Sequence, residues 1–151
     1  MSKKSPAPRR LARRLALQAI YQWQLASTSS LEIENQFLQD CPLDKVDVPY
    51  FLELLRGVVN CCESLDAHMK PALDRDIGQL NPVELAILRI ALYEFVHRMD
   101  IPYRVVIDEA LRLAKTFGAI EGYKYVNGVL DNVARSLRTV EIGARTTRPE
   151  N

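Results

Sequence analysis

Metal-binding residue types are scarce in this chain: three cysteines (Cys41, Cys61, Cys62) and two histidines (His68, His97) among 151 residues. The cysteines form no CxxC pair and the histidines lie far apart in sequence, so the ligand spacing of a metal site is missing. An odd count with one adjacent pair also argues against a disulfide framework and points to a reducing cytoplasm. Cys62 falls in a helical stripe with Phe51, Leu54, Leu55, Val58, Leu65 and Met69, where it reads as a small buried apolar residue. Six glycines are scattered singly. There is no P-loop, no G-x-G-x-x-G and no Ser/His/Asp constellation, which argues against an enzyme and leaves no cofactor to expect. Long apolar runs are absent as well. The start is broken by Arg13, Arg14 and Gln18, unlike the continuous apolar core of a secretory signal, and no stretch is long enough for a bilayer span. An organelle transit peptide is a minor alternative, but Trp23 and the alanines before it suit permanent packing.

The most telling absence is of acidic residues before Glu32. The first thirty-one residues carry Lys3, Lys4, Arg9, Arg10, Arg13 and Arg14, whereas the rest of a chain of net charge +1 holds fourteen basic against nineteen acidic residues. A basic segment on an acidic remainder fits a polyanion, because clustered cations neutralise phosphates and release counterions. A solvated basic tail fits the charge equally well.

Winding the segment into a helix adds a second observation. From Pro8 to Leu25 there is no internal Gly or Pro, and Leu11, Ala12, Leu15, Ala16, Ala19 and Trp23 share one half of a 3.6-residue wheel. Arg9, Arg10, Arg13 and Arg14 fall on the other half, with Tyr21 at the angle between Arg10 and Arg14. Cations for the backbone and a flat ring for an unstacked base are what single-stranded RNA requires; a neighbouring helix covering the ring is the alternative for Tyr21.

The remainder reads as helices, and 151 residues with 48% hydrophobic content fit one domain with a sizeable core. A short helix is expected over Leu31 to Gln39, ended by Cys41-Pro42, and a longer one from an Asp47 N-cap to a break before Pro71. Asn81-Pro82-Val83-Glu84 resembles a capping box and opens a helix to about Arg98 that is apolar on every side, hence central. Within it Glu84 suits the dipole of the first turn, and Arg89 and Glu94 are expected to be semi-buried and paired. Pro102 opens the next helix, which ends at Gly118 as a C′ glycine. The last helix begins near Tyr123, with Val126, Val129, Leu130, Val133, Ala134, Leu137 and Val140 facing the core and Lys124 on the opposite arc, flanked by Tyr125. The expected layout is a flexible basic arm over 1–8, an all-helical domain over 9–142 and a disordered tail over 143–151.

Several motifs in register resemble the NusB family of bacterial transcription antitermination factors. They are Arg9-Arg10-Leu11-Ala12-Arg13 leading into Leu17-Gln18-Ala19-Ile20-Tyr21-Gln22-Trp23; Val83-Glu84 with Ile87 to Glu94; Ile101-Pro102-Tyr103-Arg104-Val105-Val106-Ile107; and Ala114-Lys115-Thr116-Phe117-Gly118-Ala119 followed by Lys124 to Asp131. The resemblance implies an all-α bundle of about seven helices and a non-catalytic role. It implies binding of boxA-type single-stranded nascent RNA together with the ribosomal protein NusE, acting indirectly on the RNA polymerase elongation complex in ribosomal RNA operons. It further implies an RNA site at Arg9, Arg10, Arg13, Tyr21, Lys124 and Tyr125, and a protein-partner contact at Glu84. Arg14 and Tyr125 stand where the family often has Glu and Phe; both preserve or raise attraction for RNA, so Arg14 joins the site. Glu121, just before Lys124, is expected to lower RNA affinity by repulsion. Two other readings are a relative of the RNA-binding domain of ribosomal RNA cytosine methyltransferases, weakened because no α/β cofactor domain follows, and a structural helical protein whose basic arm meets lipid or protein.

Overall fold

Pro8 sits inside the first turn of a helix, where its missing N–H is no loss, so helix α1 (Ala7–Leu25) starts before the arginines. The computed structural model describes residues 5–26 and 28–146, with side chains described as far as Gly143. Lys3 and Lys4 of the expected arm, and residues 147–151 of the expected tail, lie outside the described residues.

Six further helices follow: α2 (Ser30–Asp40), α3 (Val48–Met69), α4 (Pro82–His97), α5 (Tyr103–Phe117), α6 (Gly122–Leu137) and α7 (Thr139–Thr146), with 3-10 turns at Lys70–Ala72 and Ile77–Gln79. No strand occurs among the described residues, and no helix among them is long and apolar enough to cross a membrane. Ser29 caps α2 through Glu32 N (3.2 Å), and Asp47 caps α3 through Tyr50 N (3.1 Å). Asn81 caps α4 through the backbone N–H groups of Val83 (2.9 Å) and Glu84 (3.3 Å). These bonds satisfy amide donors that the first turn of a helix leaves unpaired.

α4 is the hub, as its all-round apolar sequence requires: α1, α3, α5 and α6 all pack on it, and Leu85 through Leu92 are buried without interruption. Gly57 of α3 lets the Tyr93 ring of α4 approach, since a Cβ there would collide with the ring. The expected partners of the polar residues of α4 now have names. Arg89 forks onto Asp66 (3.0 and 2.8 Å) and donates to Gln24 Oε1 (2.9 Å), while Glu94 receives Arg13 and the Tyr50 hydroxyl.

Two boundaries differ from the sequence reading. The last long helix does not run on to Val140. It stops at Leu137, and Val140 is 87% exposed on α7, because Arg138 turns inward to serve the end of α4. α7 in turn continues into the stretch read as tail, ending at Thr146. Gly118 follows α5 with φ −83°, so it is not a left-handed C′ residue; a Cβ there would meet Ala114 O at 2.7 Å, which is why a glycine fits. The left-handed residue of this connection is Glu121, φ 66°.

Candidate nucleic-acid interface

The four arginines of α1 have four different environments. Arg14 is exposed, its guanidinium 5.2 Å from the Phe117 ring centroid of α5. Arg10 is half-exposed and donates through Nε to both carboxylate oxygens of Glu109 on α5 (3.1 and 3.0 Å). Arg9 lies over the Tyr50 ring at 4.4 Å, on the side of α1 facing the start of α3.

Arg13 departs from the expected stripe. It is 4% exposed and donates to Glu94 through Nε (3.3 and 3.1 Å) and Nη2 (2.8 Å), with Glu109 a further 3.6 Å from Nη1. The reason is on the wheel: Arg13 shares a line with Leu17 and Ile20, four and seven residues on, and both are core residues. Burial alone would lower the Arg13 pKa, but the Glu94 charge and hydrogen bonds outweigh it and hold the guanidinium protonated. The Tyr50 hydroxyl donates to the same carboxylate, and burial followed by the Glu94 charge pushes its pKa well above the usual tyrosine value. Arg13 is thus the buried counter-ion of α4, not a surface group.

From Arg14 the surface continues through aromatic rings. Tyr21, 37% exposed, lines a shallow depression with Leu17, Gln18, Val83 and Phe117. Among the described residues this exposure leaves part of the ring open, so a flat group can reach it from solvent. Beyond Val83, the Glu84 carboxylate faces the N-terminus of α6: a Cβ on Gly122 would lie 2.5 Å from Glu84 Oε2. Glu84 is 8% exposed, so it seats α6 through the helix dipole and leaves little surface for a partner. The protein-partner contact expected of Glu84 has only this small exposed part of the side chain to use.

Lys124 and Tyr125 follow one turn into α6. Lys124 is exposed and pairs with Glu121 Oε1 at 3.1 Å. The Tyr125 hydroxyl donates to Asp74 Oδ1 (3.1 Å), and the Arg75 guanidinium sits 4.8 Å from its ring centroid. Hydrogen bonds from Arg75 and Tyr125 hold the Asp74 carboxyl below its ordinary pKa, and burial followed by the Asp74 contact raises that of Tyr125. A chain of contacts through Arg14, Phe117, Tyr21, Val83, Glu84 and Gly122 therefore links the basic face of α1 to the turn of α6 that carries Lys124 and Tyr125, passing beneath the surface at Glu84. Arg9 and Arg13 stand off it.

Phe117 and Arg75 were missed by the sequence reading. Phe117 continues the α5 stripe of Val106, Ala110, Leu113 and Ala114, a pattern that marks it as core, although its place as the last residue of that helix leaves the ring only partly buried. Arg75 lies in a connection with no periodicity to place it.

A helical bundle carrying a joined strip of guanidinium, ammonium and aromatic groups is the class of protein this geometry defines. The NusB family model matches residues 10–135, and the chain belongs to that family. The transcription antitermination protein NusB of Idiomarina loihiensis is 54% identical over 133 residues, covering 88% of this chain and 96% of its own. The corresponding protein of Legionella pneumophila (strain Corby) is 49% identical over 142 residues, covering 94% and 97%. Among solved structures, T. maritima NusB matches with a TM-score of 0.75 at 28% identity, covering 88% of this chain and 93% of that one. A chain from a crystal structure of the antitermination factors NusB and NusE in complex with dsRNA matches with a TM-score of 0.76 at 25% identity, covering 85% and 96%.

Proposed function

We propose that this chain is a non-catalytic transcription antitermination factor that binds boxA-type single-stranded RNA together with a NusE-type ribosomal protein, and through that pair acts on RNA polymerase in the cytoplasm. The observation that carries the reading is the strip from Arg14 through Phe117 and Tyr21 to Lys124 and Tyr125, on a chain of the NusB family. Its cations supply phosphate neutralisation, which is insensitive to sequence. Its rings supply stacking for splayed bases, worth about 1–3 kcal/mol per base. Single-stranded RNA fits this better than a duplex, whose bases are not free to stack on side chains.

The test is a titration with a short boxA-type RNA, with and without the ribosomal protein, on the wild type, Tyr21→Ala and Tyr125→Ala. Both variants should bind more weakly with an unchanged slope of log affinity against log salt, because stacking releases no counterions. If the rings serve packing alone, the variants will melt earlier while their folded fraction binds RNA as the wild type does, and the stacking role is lost.

A further inference from the structure

Glu109 is a single, nearly buried carboxylate approached by three guanidiniums. Arg10 is at 3.0 Å, Arg13 at 3.6 Å and Arg112 at 3.8 Å. Arg13 is already matched by Glu94, so Arg10 and Arg112 share one negative charge, and Arg14 stands beside them with no carboxylate among its described contacts. These groups line a groove between α1 and α5 of about 400 Å³, bounded by Leu11, Leu113 and Phe117. Four arginines against two glutamates leave a surplus of positive charge in a cleft with apolar walls, where a field is focused rather than screened by bulk water.

We propose that the RNA strand continues from the Phe117–Tyr21 depression into this α1–α5 groove, with Arg112 and Arg14 contacting a phosphodiester and Glu109 positioning Arg10 and Arg112 along it. The groove meets the strip already described at Phe117, which lines both depressions. Arg112 is the group to examine. Its side chain is 57% exposed, and its 3.8 Å approach to Glu109 is a loose ion pair rather than a hydrogen bond, so a phosphate oxygen can compete for it. The planar fork of a guanidinium matches two phosphate oxygens at once. A solvated cationic face would need neither the shared carboxylate nor the groove. The inference rests on the RNA-binding reading above and adds a stretch of strand that the strip alone does not require.

The experiment is a salt series with the same boxA-type RNA on the wild type, Arg112→Gln and Arg112→Lys. Losing one phosphate contact on a single strand should lower the log–log salt slope by about 0.7, so that the affinity advantage of the wild type over Arg112→Gln shrinks roughly threefold between 0.05 and 0.2 M salt. Arg112→Lys keeps the charge and should keep the slope, with weaker binding from the lost fork. Thermal melts should be nearly superimposable, because Arg112 is exposed and loosely paired. A wild type that binds RNA while Arg112→Gln shows the same slope and affinity would overturn the groove and leave the strip standing. A wild type that binds no RNA would overturn the parent reading, and the groove with it.

Discussion

Arg13 and Arg14 are adjacent in sequence and opposite in role, and this contrast gives the sharpest single-residue forecast. Arg13→Met leaves the Glu94 carboxylate charged in the core with the Tyr50 hydroxyl as its remaining donor. Breaking a buried pair in this way costs about 3–5 kcal/mol, so the variant should melt far earlier and lose RNA binding only through unfolding. Arg14→Gln should melt as the wild type does, yet bind RNA with a salt slope lower by about 0.7. Denaturant unfolding beside RNA titration separates the two; equal stability for Arg13→Met would remove it from the core network. The sequence held enough to place Arg13, since Leu17 and Ile20 continue its line along the helix. A polar residue on a wheel is assigned outward by default, however, and Glu94 and Tyr50, its partners, lie 81 and 37 positions away. Tyr21 and Lys124 were legible because exposure follows directly from the 3.6-residue period. Glu84 was not, because its burial depends on where α6 starts.

The ends of the helices show what periodicity alone does not reveal. Arg138 is 1% exposed and serves as an external cap for α4: Nε donates to Phe95 O (3.0 Å), Nη1 to Ile101 O (3.0 Å), and Nη2 to Glu94 O (3.2 Å) and Arg98 O (3.1 Å). Glu141 completes the clamp, accepting from Arg138 Nη1 (2.7 Å) and from Tyr103 N (2.9 Å), the first amide of α5, whose N-cap Pro102 offers no side-chain bond. One turn of chain after α6 thus satisfies the C-terminus of α4 and the N-terminus of α5, groups that would otherwise be left unpaired. Arg138→Leu should therefore cost about 3–5 kcal/mol in denaturant unfolding, and Arg138→Lys should recover little, since an ammonium cannot reproduce the fork. Near-full recovery by lysine would mean that charge rather than geometry matters there. The α3–α4 pair carries a pH dependence as well. Burial and the Glu53 hydrogen bond raise Tyr93 to about 12, and burial beside Glu94 raises Tyr50 further. Both are held neutral in the fold, so their contribution is complete below the ordinary tyrosine pKa of about 10 and is lost as pH rises through the folded values. Unfolding free energy should fall from about pH 10 upward, and Tyr93→Phe should flatten the first part of that fall. A parallel decline in the variant would assign the loss to other groups. Capping at Asp47 and Asn81 was readable because the capping residue sits beside the helix it serves. Arg138 was invisible for the opposite reason, because it caps a helix about forty residues earlier in the chain.

At the scale of the whole molecule, the separation of charge seen in the sequence becomes a placement of fields. The basic face of α1 and the start of α6 flank the same strip, and the carboxylates along it are Glu84, buried against the start of α6, Asp74, held by Arg75 and the Tyr125 hydroxyl, Glu109, held by arginines, and Glu121, paired with Lys124. Glu121 occupies a left-handed position before α6 and makes no side-chain cap, so its carboxylate contributes to that helix mainly through the dipole, about 0.3–1 kcal/mol. Against this stands its repulsion of any phosphate reaching Lys124, together with its competition for the Lys124 ammonium at 3.1 Å. An exposed pair of this kind contributes little to stability, so removing the charge should affect binding more than folding. Glu121→Gln should melt slightly earlier and bind boxA-type RNA more tightly at low salt. The gain should fade as salt rises, because the charge is screened within about 10 Å at 0.1 M. A folded Glu121→Gln variant that binds RNA no better than the wild type at low salt would place the start of α6 away from the strand. Lys124 and Tyr125 would then leave the site, and the RNA path would be confined to Arg14, Phe117, Tyr21 and the α1–α5 groove.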